Sequence, residues 1–252
     1  MKSNLNKSQI ERFSRQMVLK NIGAKGQKKI LSSKILIVGI GGLGCPAAEN
    51  LVRAGIGTIG LIDDDIVNLS NIHRQSLFNS KDIKKPKVKV AAKKLKEINP
   101  QTKIVTYRKR LNKDNIQNII KNYELIIDGS DNFKTKFLIN DYCKKFKKKL
   151  ITGAISKFDG HIFTFDFKDK KAASLKSFYQ EKDISDNILN CEFEGVLGTT
   201  ASIVGTIQAN EALKMIVEIG HNLKNQILII DLLNLNFRKV KYKKNNSQSI
   251  NE

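Results

Sequence analysis

No part of this chain is built to cross a membrane. None of its apolar runs approaches the roughly 18 residues that a helical span needs. Residues 1 to 11 are polar and lack an apolar core, so no signal peptide is expected. Cysteine is scarce as well. Cys45, Cys143 and Cys191 are scattered and make no disulfide framework, which fits a reducing cytoplasm. Cys45, after a glycine turn, and Cys143, in a helical stretch, read as small buried residues. Arginine is rare for so basic a chain: the 45 basic residues include seven Arg, at 12, 15, 53, 74, 108, 110 and 238. Against 24 acidic residues this leaves a net charge of +21. Such a charge invites a nucleic-acid reading. Yet Lys and Asn are enriched along the whole chain, as in a composition bias, and no patch stands out. Nucleic acid is therefore not expected as a partner, whereas a small acidic protein would be attracted. Where Arg is kept, a planar bidentate donor is called for.

What the chain does have is 252 residues at 40% hydrophobic content, enough for one large α/β domain with a buried core. Its organising stretch is Lys34 to Asp65. Ile35 to Val38 reads as a strand buried on both faces. Gly39, Gly41 and Gly44 then satisfy G-x-G-x-x-G before a helix that runs to about Ala54 and carries Pro46 at its start. A second strand, Thr58 to Ile62, ends at Asp63, the offset expected of an acid that holds a ribose hydroxyl. The order strand, glycine turn, helix, strand and acid predicts a nucleotide site.

The remaining elements follow in turn. Residues 1–33 read as a polar segment with a helical stretch. Just past the second strand come Asn71, an amide donor and acceptor, and Arg74, a fork for phosphate. His73 in the same stretch reads as a surface histidine. Pro86 marks the start of a helix from Val88 to Ile98. Lys87 sits in its first turn, where the dipole disfavours a cation, so a nearby triphosphate would explain it. A third strand, Ile104 to Tyr107, precedes a helix over about Lys113 to Lys121. A fourth strand, Leu125 to Ile127, leads into Asp128-Gly129-Ser130-Asp131-Asn132. Asp131 suits a helix N-cap, or one carboxylate of a Mg²⁺ site beside phosphates. A helix to about Lys145 and a strand from Leu150 complete a doubly wound, Rossmann-like, mainly parallel sheet. His161 to Phe167 alternates like an antiparallel strand. Residues 168–195 read as a polar, irregular loop that is functional or mobile. Gly198 to Ile219 reads as a buried helix carrying Ile203, Ile207, Leu213 and Ile216. Gln226 to Asp231 and Leu235 to Tyr242 read as closing antiparallel strands, and residues 243–252 as a disordered tail. One domain over residues 1–242 is expected.

Together these stretches resemble the MoeB/ThiF/HesA family, bacterial relatives of ubiquitin-activating enzymes. The matching blocks are ERFSRQ (11–16), VGIGGLGCP (38–46), LIDDDIVNLSNIHRQ (61–75), KPKV (85–88), DGSDNFKTKFLIN (128–140), ITGAISKFDGHIFTF (151–165), CEFEGVLG (191–198) and GTIQANEALKMI (205–216). The resemblance implies binding of ATP and Mg²⁺ rather than NAD. It also implies adenylation of the C-terminal glycine carboxylate of a small ubiquitin-like sulfur carrier ending in Gly-Gly, of the molybdopterin or thiamine biosynthesis type. By the same resemblance Gly41 and Gly42 would back the phosphates. Asp63 would bind ribose, with Asp65 beside it. Ser70, Asn71, Ile72, His73 and Arg74 would hold phosphates with Lys87. Asp131 and Asn132 would place Mg²⁺, and Arg15 would reach the ATP of the other subunit of a homodimer. Cys191 matches a family cysteine that in some members links covalently to the activated carrier.

Many family members also carry two Cys-x-x-Cys pairs that bind zinc. This chain lacks both, so no zinc site is expected. It also shows no rhodanese-like extension, so a sulfur donor would be a separate protein. Two other readings are open: an ATP-dependent tRNA-modifying dehydratase of the same superfamily, which the charge favours, and a scaffold that has lost the chemistry.

Overall fold

The computed structural model describes residues 5–179 and 195–241. Two helices, α1 (Lys7–Met17) and α2 (Gly23–Ser32), lead into β1 (Lys34–Val38), α3 (Gly44–Ala54) and β2 (Thr58–Ile62). Next come α4 (Lys87–Ile98), β3 (Lys103–Tyr107), α5 (Ile116–Ile120), β4 (Leu125–Asp128) and α6 (Phe133–Lys145). The hairpin β5 (Lys149–Ser156) and β6 (Asp159–Asp166), the long α7 (Gly198–Val217), β7 (Gln226–Asp231) and β8 (Asn236–Lys241) complete the chain. The eight strands form one sheet in the order β3-β2-β1-β4-β5-β6-β7-β8. From β3 to β5 neighbours run parallel, and from β5 to β8 antiparallel. This is the doubly wound sheet with an antiparallel extension that the sequence predicts.

Alternation along the parallel strands supplies two cores. Ile35 and Ile37 of β1 face one way, onto α3, α4 and α7. Leu36 and Val38 face the other way, onto α5 and α6. With helices on both faces, every central strand must be apolar throughout, which explains its unbroken Ile/Leu/Val run. Because β1 and β4 lie side by side and their connections depart to opposite faces, a crevice opens beyond their C-terminal ends.

Several expectations need correction. The fifth helix is shorter than the Lys113–Lys121 expected. Asn112 Oδ1 accepts the backbone N–H groups of Asp114 and Asn115, and Asn115 Oδ1 accepts that of Asn112, so residues 112–115 stay in a turn. The buried face of α7 is not the isoleucine face. Ala201, Val204, Gly205, Gln208, Ala209 and Ala212 point inward, while Ile203, Ile207, Leu213 and Ile216 are half-buried at its margins. Close approach to α3 dictates this: a Cβ at Gly205 would lie 2.4 Å from the Leu43 carbonyl oxygen. The stretch after β6 is also more ordered than the irregular loop expected over 168–195. Its described part, 168–179, includes a 3₁₀ turn at Leu175–Ser177, and Ala173 and Leu175 are buried in the second core. Leu175 N–H donates to Asn140 Oδ1 on α6. Residues 180–194 and the tail expected from 243 lie outside the described residues.

Candidate active site

The glycine turn between β1 and α3 floors a cleft of about 590 Å³ at the C-terminal edge of the sheet. Gly39 adopts φ +85°, a backbone that a β-carbon would strain. A Cβ at Gly44 would sit 1.9 Å from the Gly39 carbonyl oxygen, so only glycine lets α3 start so close to β1. Gly41 and Gly42 line the cleft. Asp63 closes the turn from β2: its Oδ2 accepts Ile40 N–H at 2.7 Å and its Oδ1 accepts Asp65 N–H at 2.8 Å. Burial pushes the Asp63 carboxyl above its usual range, partly offset by Lys87 and these two backbone donors. Asp63 lines the cleft and each oxygen keeps acceptor capacity, so the acid both fixes the turn and can accept a ligand hydroxyl.

Two cations flank this floor. Lys87, 5% exposed, donates from Nζ to Asp65 Oδ2 at 2.8 Å, while its own N–H donates to the Asp65 carbonyl. The aspartate thus gives a local reason for a lysine in the first turn of α4. Arg74 lies across Gly42: a Cβ there would be 3.7 Å from the Arg74 stem. Its Nη1 donates to the Ser70 carbonyl at 2.9 Å and lies 2.7 Å from His73 Nε2. Asp65, Arg74 and Lys87 all line the cleft. Ser70, Asn71, Ile72 and His73 do not. Asn71 is buried with Oδ1 accepting Asn68 N–H, and Ser70 and His73 are exposed. The block is a 3₁₀ turn (Leu69–Asn71) whose geometry aims Arg74.

At the end of β4, Asp131 and Asn132 also line the cleft. The helix cap here is Asn132, not Asp131: Asn132 Oδ1 accepts Thr135 N–H at 2.9 Å. Asp131 is left exposed, its carboxylate met by Asn132 Nδ2 at 3.1 Å. One exposed carboxylate beside two cations and an open glycine floor fits Mg²⁺ held together with phosphates, since that ion needs only one or two protein carboxylates. Among the described residues no cluster of three or more His, Cys, Asp or Glu could hold a metal by itself.

Four residues in or beneath the cleft were not singled out from the sequence. Asp128 is fully buried, with Oδ1 accepting from Ser130 N–H and Oγ, and Oδ2 from Thr152 Oγ1 and Lys136 Nζ. Lys136, 4% exposed, reaches the cleft wall and also donates to the Gly153 carbonyl at 2.6 Å. Gln75 lines the cleft at 4% exposure, its Oε1 buried without a partner among the described residues. His161 of β6 lines the far end, and its Nδ1 lies 2.8 Å from Tyr179 Oη. A lysine eight residues after an aspartate, in a chain full of lysine, carries no visible signal. His161 could have been found as one of only three histidines.

Two expected residues are not brought to the cleft. Cys191 lies outside the described residues. Arg15 is exposed in the last turn of α1, and α1 packs at the opposite edge of the sheet: Phe13 fills the space beside Gly55, which precedes β2. Five residues of β2 separate that edge from Asp63, roughly 17 Å. Cys45 and Cys143 are both fully buried, as expected. Burial drives the Cys45 thiol up to about 12 and the Cys143 thiol well above its usual value, so neither is a nucleophile.

Among the described residues no helix is long and apolar enough to cross a membrane. The ThiF family model matches residues 13–250. The sulfur carrier protein adenylyltransferase of Thermus thermophilus is 35% identical over 242 residues, covering 95% of this chain and 89% of that protein. A probable molybdopterin-synthase adenylyltransferase of Gracilaria tenuistipitata is 37% identical, covering 95% and 66%. The adenylyltransferase and sulfurtransferase MOCS3 of Drosophila virilis is 38% identical; this chain spans 52% of its length. In fold, E. coli MccB in a structure with ATP superposes with TM-score 0.82 at 19% identity, over 99% of this chain and 75% of that one. PaaA does so with TM-score 0.81 at 22% identity, over 97% and 76%.

Proposed function

Because the chain belongs to the ThiF family, we propose that it is an adenylyltransferase that uses ATP to activate the C-terminal glycine carboxylate of a small sulfur-carrier protein. The observation that carries this reading is the single cleft that gathers a glycine floor, Asp63, two cations and Asp131. An anionic carboxylate oxygen of the carrier attacks the α-phosphorus of ATP. The new acyl–phosphate bond forms as the α–β bridging bond breaks, and pyrophosphate leaves with that electron pair. The nucleophile is already deprotonated, so no base is required. The task is to offset repulsion between anions and to hold them in line. Lys87 and Arg74 supply positive charge from the α4 and α3 side. Asp63 orients the ribose, and the glycine turn lets phosphate approach the backbone. Asp131 would help to hold Mg²⁺, and the ion would supply further charge neutralisation.

ATP–pyrophosphate exchange with a recombinant carrier ending in Gly-Gly tests this. Wild type should exchange, and Asp131→Ala should lose about tenfold or more. Undiminished exchange in Asp131→Ala would remove this residue from the metal site. Tighter binding of NAD than of ATP would sink the whole reading.

The active form is further proposed to be a homodimer in which Arg15 serves the partner's cleft. Two facts support it: its own chain holds Arg15 at the wrong edge of the sheet, and its neighbours Val18 and Leu19 are 78% and 55% exposed. Arg15→Ala and Asp131→Ala should each be nearly inactive. Mixed and allowed to exchange subunits, they should recover about 25% of wild-type activity, because half the dimers are mixed and each restores one of two sites. Mixed dimers seen by mass spectrometry without returning activity would show that Arg15 does not act in trans.

A further inference from the structure

One end of the cleft is not used by the nucleotide chemistry above. His161 lies there on β6, directly opposite Ala154 of β5. Four strand spacings separate β2 from β6, on the order of 19 Å, so His161 is remote from the ribose acid Asp63. It is also on the other face of the sheet from Arg74 and Lys87. Gly160 meets Val204 of α7 on their face, whereas Phe163, two residues after His161, packs into the core beneath α5 and α6. The imidazole stands beside an aromatic group in which the Tyr179 ring contacts Phe133 at 5.2 Å and Phe163 at 5.7 Å between centroids.

The tautomer follows from Tyr179. Burial raises its hydroxyl to about 12, so it keeps its proton. A half-buried tyrosine hydroxyl facing an imidazole nitrogen finds its acceptor there: among the described residues the partner of Tyr179 Oη is His161 Nδ1 at 2.8 Å. The hydroxyl therefore donates, and the neutral ring carries its proton on Nε2. Burial holds the imidazole below its usual value, so it is neutral at pH 7. Nε2–H has no partner among the described residues and is not buried from solvent. The result is one fixed donor at the cleft's far wall, on a rigid strand.

We propose that His161, oriented by Tyr179, is a positioning residue for the incoming carrier, its Nε2–H donating to a main-chain carbonyl of the carrier's extended C-terminal tail. This rests on the carrier-adenylation reading and deepens it. A carbonyl is the acceptor that every peptide offers at regular intervals, so the contact aligns the tail without selecting its side chains. Ala154, directly opposite on β5, also lines the cleft, and its small side chain leaves room for an extended tail beside the imidazole.

The test is steady-state ATP–pyrophosphate exchange with a recombinant sulfur carrier ending in Gly-Gly, varying carrier and ATP separately. His161→Phe keeps a planar ring and loses the donor. It should raise the carrier KM roughly tenfold, with the ATP KM within about twofold of wild type. His161→Gln, whose amide nitrogen can reach the Nε2 position, should restore most of the loss. Tyr179→Phe frees the ring to adopt either tautomer and should fall between them. An unchanged carrier KM in His161→Phe, an equal rise in the ATP KM, or no rescue by Gln would overturn the assignment. Wild type inactive with every carrier would instead overturn the adenylation reading and this assignment with it. An active wild type with an unaffected His161→Phe overturns this assignment alone.

Discussion

Lys87→Ala should lower carrier adenylation by about two to three orders of magnitude while the protein stays folded. Lys87 is a cation 5% exposed, in a water-poor corner of the cleft, where a charge acts on developing negative charge with little screening. Its partner Asp65 is 64% exposed at the side chain, so removing the lysine leaves a solvated carboxylate rather than a buried orphan. The stability cost should therefore stay within about 1 kcal/mol. Lys87→Arg should rescue poorly, because the buried slot holds a compact ammonium aimed by Asp65 and not a planar fork. Single-turnover adenylation beside thermal unfolding checks both halves. A normal rate in Lys87→Ala would place the phosphates elsewhere.

The largest effect on stability is expected at Lys136. Lys136→Met should destabilise the fold by about 3–5 kcal/mol, because it strands the Asp128 carboxylate in the interior. Both side chains are almost wholly buried, at 4% and 1% exposure, and Nζ lies 3.2 Å from Asp128 Oδ2. Asp128 keeps Ser130 and Thr152 as donors, which is why the expected loss is not larger. For a chain of this size the fall in Tm should be on the order of 10 °C. Adding Asp128→Asn should recover part of the loss, since the stranded group is then neutral. A denaturant titration of the two variants decides the matter. A Lys136→Met protein as stable as wild type would mean that the buried Lys136–Asp128 pair does not hold α6 to β4.

Much of the frame was legible from local pattern. β2 and β7 fall where the periodicity predicts them, and α4 and α6 differ by a residue or less. Gly41, Gly42, Asp63 and Asp65 do converge on one cleft with Arg74, Lys87, Asp131 and Asn132. Such convergence follows from topology, since every βα turn of a parallel sheet opens at one edge. Local pattern failed where side chains compete with the backbone. Asn112 and Asn115 shorten α5 by capping their own turn, and Asn132 takes the cap for which Asp131 was equally suited. It failed again on α7, where apolarity marked the isoleucines but contact distance selected the small residues.

The sequence by itself determined the nucleotide turn, the doubly wound order and the family, because glycine conformations, strand periodicity and motif spacing are properties of neighbouring residues. Only the tertiary structure decided which charges meet. Asp128 finds Lys136 because β4 and α6 fold back on each other, and His161 finds Tyr179 across 18 residues because the segment after β6 returns over the sheet. It also put Arg15 at the far edge, away from its own cleft. Pairings of this kind depend on which elements become neighbours, and that is settled by the packing of two cores rather than by any local stretch.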